Sequence, residues 1–131
     1  MQIPLIGKGE SILVVDDDRN VTEVIAVILR HAGFKVTLKH NVADAMSEID
    51  KQIPHAIITE LVLPDMSGLD IIRYGRQKNT EMPIMVISTA TGGFQMGQAR
   101  EYGTEIFLAK PVAIDELIEM VTKMKLDMRP A

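Results

Sequence analysis

Apolar residues recur along this chain in two rhythms. Mostly apolar runs at residues 11–15, 56–59, 83–87 and 105–109 are short and end in polar or turn residues. Such runs predict strands buried on both faces. Residues 34–38 alternate between apolar and polar, which predicts a more exposed strand nearer an edge. Between the runs, apolar positions fall at helical spacing. Val21, Val24, Ile25, Ile28 and Leu29 mark a first helix, with Asn20 as its cap and Gly33 as its stop. Val42, Ala45, Met46 and Ile49 follow the capping pair Asn41 and Asp44, and Leu69 and Ile72 follow Ser67 and Asp70. Ile114, Leu117, Ile118, Val121 and Met124 mark the last helix. A helix holding Phe94, Met96, Ala99 and Tyr102 is the weakest element, because Gly92, Gly93 and Gly97 interrupt it.

Five strands alternating with five helices predict a parallel sheet with right-handed crossovers. One domain over residues 11–125 is expected, after a loose leader at 1–10 with Pro4, Gly7 and Gly9 and before a short tail at 126–131. At 131 residues the chain is long enough to bury a core. A net charge of −4 speaks against binding nucleic acid or an anionic membrane. The absence of cysteine excludes disulfides, thiolate chemistry and zinc sites of the cysteine type. No run approaches membrane-spanning length, and a cytoplasmic location is the expectation. Nine methionines, Met82, Met85, Met96, Met120 and Met124 among them, read as core filling.

The chemistry gathers where the apolar runs stop. Asp16, Asp17, Glu60, Ser88 and Lys110 each stand at or just after a strand end. In a parallel sheet these ends share one edge, so residues distant in sequence converge on one crevice. His31, His40 and His55 are read as lying off it, with no metal-ligand spacing.

These motifs resemble the receiver domain of bacterial two-component response regulators. The resemblance runs from Ser11 to about residue 125 and rests on Asp16-Asp17-Asp18 after the first strand and Leu63-Pro64-x-x-Ser67-Gly68 after the third. Ser88 after the fourth strand and Lys110-Pro111 after the fifth complete it. It implies a flavodoxin-like α/β fold with a parallel five-stranded sheet in the order 2-1-3-4-5. It also implies a phosphoacceptor position at Glu60 and an Mg²⁺ site formed by Asp17, Glu60 and the Val62 carbonyl, with Asp16 acting through water. Hard oxygen ligands of this kind suit that ion. Ser88 and Phe107 would be the switch pair, Lys110 would bind phosphoryl oxygens, and the Lys110–Pro111 peptide would be cis. The implied partners are a histidine kinase or another signalling protein. A homodimer through the fourth helix, fifth strand and fifth helix is also implied, with Phe94, Tyr102 and Phe107 near that face.

Glu60 departs from the family, which has Asp there. One more methylene moves the carboxylate by roughly 1.5 Å, a single carbon–carbon bond, and in-line phosphoryl transfer is sensitive to misplacement on that scale. The expectation is therefore a non-enzymatic receiver that signals by protein contacts, with Glu60 paired directly to Lys110 as a partial phosphate mimic. The alternatives are a conventional receiver phosphorylated at Glu60 or Asp65 and, remotely, an Mg²⁺-dependent phosphatase of the haloacid dehalogenase type. The latter lacks its usual sequel, since Arg19-Asn20 follow the acids.

Overall fold

The computed structural model describes residues 2–89 and 94–126. The glycines at 92–93, the side chain of Phe94 and the tail from 127 onward, on all of which expectations fell, lie outside the described residues. The elements are β1 (Ser11–Val15), α1 (Arg19–His31), β2 (Lys35–Lys39), α2 (Val42–Lys51), β3 (Ala56–Thr59), α3 (Gly68–Lys78), β4 (Ile84–Ser88), α4 (Phe94–Glu101), β5 (Ile106–Ala109) and α5 (Ile114–Met124). The strands form one sheet in the order β2-β1-β3-β4-β5, with every pairing parallel.

Alternation along the strands divides the core into two layers. Leu13, Val15, Ile57, Ile84 and Val86 face one way, onto Val42, Ala45 and Ile49 of α2, Ile71 and Ile72 of α3, and Met96 and Ala99 of α4. Ile12, Val14, Ile58, Met85 and Ile87 face the other way, onto Ile25, Ile28 and Leu29 of α1 and Leu117, Val121 and Met124 of α5. β3 and β4 are buried along their whole length, as central strands of a doubly covered sheet must be. β2 lies at the edge and is only partly buried.

Several local expectations are corrected. α1 starts at Arg19, and its cap is Asp18 rather than Asn20: the Asp18 carboxylate accepts from the Asn20 and Val21 amides while its own backbone is extended. Tyr102 falls beyond the end of α4. The leader is not loose over residues 6–10. The amides of Ile6 and Gly7 both donate to the Ala32 carbonyl, Gly9 donates to Gly33, and Lys35 donates to Glu10. Ile3 and Ile6 pack onto the α1–α5 layer. Gly7 permits this approach, since a Cβ there would lie 2.8 Å from the Gly33 carbonyl carbon.

Candidate signalling crevice at the carboxyl edge of the sheet

The ladder aligns the chemistry. Val15 and Thr59 are register partners on neighbouring strands, so Asp16 and Glu60 leave the sheet side by side. Ser88 pairs with Ala109 across β4 and β5, which brings Lys110 to the same edge. Backbone bonds carry the alignment past the strand ends: the Glu60 amide donates to Val15 at 2.9 Å, and the Lys110 amide to Ser88 at 3.1 Å. Asp16, Glu60 and Ser88 are all buried, whereas Asp17 is exposed.

Lys110 is the hub. Its Nζ lies 2.6 Å from Asp16 Oδ2 and 2.9 Å from Glu60 Oε1. The other Asp16 oxygen accepts the Asp18 amide at 3.0 Å. Burial raises the Asp16 carboxyl above its ordinary range, and Lys110 opposes that rise. Burial would lower the Lys110 ammonium, but the two carboxylates outweigh it and hold the ammonium above its ordinary value.

The extra methylene of Glu60 lets its carboxylate do two things. Oε1 reaches Lys110, while Oε2 turns back and accepts the Leu61 amide at 2.6 Å and the Val62 amide at 3.4 Å. The loop that offers these amides is drawn tight. A Cβ on Gly68 would lie 2.0 Å from the Glu60 carbonyl oxygen, and the Gly68 amide donates to Leu61 at 2.7 Å. Only glycine fits that approach. The Lys110–Pro111 peptide is cis. Phe107 is half-buried against the α2–α4 layer, and the Arg100 guanidinium stands 4.7 Å from its ring centre.

His40 stands differently from expectation, and Asp65 makes contacts that no expectation covered. His40 does not lie off the crevice, since its Nδ1 is 2.9 Å from the Asp16 carbonyl and must be the donor there. Asp65 accepts the amides of Val42 at 2.9 Å and Ala43 at 3.0 Å, which lowers its pKa and occupies both oxygens. His55 does lie away from the crevice, bonded to Ser11 at the far end of the sheet. No sequence signal marked the His40 and Asp65 contacts, because each joins residues far apart in the chain.

A five-stranded doubly wound domain with acids and a lysine at the switch point between β1 and β3 has the architecture of a flavodoxin-like ligand- or phosphoryl-handling module. The profile of the response regulator receiver domain matches residues 12–122, and the chain belongs to that family. It is 32% identical over 107 residues to the response regulator MprA of Mycobacterium avium, an alignment covering 82% of this chain and 47% of MprA. The chain thus spans about half the length of the curated relatives it matches. The crystal structure of a response regulator from Chloroflexus aurantiacus superposes with a TM-score of 0.80 at 31% identity, covering 89% of this chain and 98% of the other. A CheY-like receiver domain from Methanospirillum hungatei shares the fold, with a TM-score of 0.83 at 20% identity over 88% of this chain and 92% of that one. The chain is therefore a receiver domain of two-component phosphorelay signalling.

Receiver domains generally bind Mg²⁺ at their phosphorylation site. Here the donor chemistry, all hard oxygen, would suit the ion, which would meet Lys110 as a competitor for Asp16 and Glu60. Lys110 holds the two buried carboxylates, and among the described residues no three acidic or histidine side chains converge to hold a metal.

Proposed function

We propose that this receiver domain acts through protein contacts, with the Glu60–Lys110 ion pair standing in for part of what a phosphoryl group does. The observation that carries this reading is the double engagement of Glu60, with one oxygen on Lys110 and the other on the Leu61 and Val62 amides. Both carboxylate oxygens are thus engaged, and in-line attack is sensitive to the placement of the attacking oxygen. The carboxylate supplies one negative charge where a phosphoryl group supplies about −1.5 to −2. The mimicry is partial on that count. Mg²⁺ would have to compete with Lys110 for Asp16 and Glu60, so we infer weak binding, with the exposed Asp17 as its first contact.

Receiver domains interact with histidine kinases and other signalling proteins. For this chain the partner is a signalling protein docking on α4, β5 and α5, or a second copy using the same face. The domain is read as a binding module, neither an enzyme nor a nucleic-acid or membrane binder, and as cytoplasmic. The net charge of −4 supports the exclusion of nucleic acid, and among the described residues no helix is long and apolar enough to cross a membrane.

The test is intact-mass measurement after incubation with Mg²⁺ and acetyl phosphate. The wild type is expected to gain no phosphoryl mass, and Glu60→Asp to gain it, since the shorter side chain gives up the return bond to Leu61. A phosphoryl group mapped to Glu60 in the wild type would overturn the proposal.

A further inference from the structure

Among the described residues, no side-chain hydrogen bond joins the two acid-bearing loops of the crevice directly. Both are instead bonded to one short stretch, the junction between β2 and α2. On one side, His40 Nδ1 donates to the Asp16 carbonyl at 2.9 Å. On the other, the Asp65 carboxylate accepts the amides of Val42 at 2.9 Å and Ala43 at 3.0 Å. Asn41, between them, is the cap of α2, its side chain accepting the Asp44 amide at 2.8 Å. Residues 40–43 therefore form a brace behind the crevice. It runs from the loop that carries Asp16 to the loop whose Leu61 and Val62 amides hold Glu60.

We infer that Asp65 is a positioning residue, which sets the orientation of Glu60 by pinning the loop after β3 to the first turn of α2. Three features make this more than an ordinary helix cap. α2 already has a cap in Asn41, so the helix does not need Asp65 to satisfy its Asp44 amide. Asp65 instead takes the Val42 and Ala43 amides, at the positive end of the helix dipole where a carboxylate binds most firmly. Its backbone lies in the same loop as the Leu61 and Val62 donors, between Val62, which bridges to Ser67, and Gly68, which locks against Glu60. With Asp65 released, the middle of that loop keeps the core packing of Leu61 and Leu63, but among the described residues no other side-chain hydrogen bond joins it to α2. The bonded surface is exposed at Ala43, Asp44 and Asp65. A partner or modification acting on the start of α2 would thus reach the crevice through two hydrogen bonds.

The inference rests on reading the Glu60–Lys110 pair as the working state of the site. Its test is independent of phosphorylation. Amide hydrogen exchange of the full chain would be compared for the wild type, Asp65→Asn, Asp65→Ala and Asp44→Ala. Asp65→Ala should lower protection of the Leu61 and Val62 amides roughly tenfold, the scale of hydrogen bonds to a charged group. The Lys110 side-chain ammonium resonance should shift with it. Asp65→Asn keeps one acceptor oxygen and should give an intermediate loss. It also serves if the alanine variant fails to fold. Asp44→Ala removes an acid from the same helix turn without touching the loop, and should leave Leu61, Val62 and Lys110 unchanged. Equal loss in Asp44→Ala, or no loss in Asp65→Asn and Asp65→Ala, would overturn the inference and reduce Asp65 to a helix cap. Failure of the phosphoryl-mass test with a positive result here would leave the brace standing while removing the standing-pair reading.

Discussion

Glu60 and Lys110 meet in a setting where each needs the other. Leaving a buried carboxylate unpaired costs far more than leaving an exposed one unpaired, so Asp16 and Glu60 both draw on the single ammonium. The pH dependence follows with a definite sign. The Lys110 ammonium is held above its unfolded value of 10.5, so its contribution to stability is complete below that pH and is lost as pH rises through the folded value. Asp16 has the same sign in a lower pH window. Its pKa is raised above 3.8, so its contribution declines as pH rises from there through the folded value. Urea unfolding of the wild type and Lys110→Met across the alkaline range should show an extra fall in the wild type above pH 10.5. Parallel curves would mean that the pair contributes nothing to stability.

At the scale of elements, α4 is the shortest of the described helices. It has eight residues, and its apolar side is narrow. Gly97 sits in its middle with no atom within 4 Å of where a Cβ would stand. Nothing in the packing asks for glycine there. Gly97→Ala should therefore stabilise the domain by about 0.5–1 kcal/mol, the usual difference in helix propensity, read as a higher urea midpoint. A loss of stability would show that a neighbour outside the described residues occupies that space. Met96 and Ala99 hold α4 to the core, and its end is tied as well. The Arg76 side chain of α3 donates to the carbonyls of Tyr102, Gly103, Thr80 and Met82, which ties the turn after α4 to the turn before β4.

The same scale shows what the sequence could carry. Strand runs, helix stripes and the caps Asn41 and Ser67 rest on neighbours in the chain, and they were legible because local chemistry decides them. The strand order and the cis Lys110–Pro111 peptide came only through the family resemblance. The docked leader was hidden because its hold is backbone bonding to Ala32 and Gly33, to which composition is blind. His40 was misplaced and the Asp65 contacts went unread for a related reason. Their partners lie 24, 23 and 22 residues away, and nothing in a lone histidine or a turn aspartate names them.

In the whole molecule, the crevice connects to the α4–β5–α5 face through two routes. Lys110 follows β5 directly, and Phe107 on β5 carries the Arg100 side chain of α4 over its ring. A charge held permanently at Glu60 should bias that face permanently, without a phosphoryl group to switch it. The most direct test compares the backbone amide spectra of the wild type and Glu60→Gln, which keeps the shape of residue 60 and removes its charge. The predicted result is a set of shifts that extends beyond Leu61, Val62 and Lys110 into β5 and residues 95–101 of α4, together with altered self-association or partner binding. Shifts confined to residues 60–62 and 110, with α4 and β5 unmoved and association unchanged, would contradict the account.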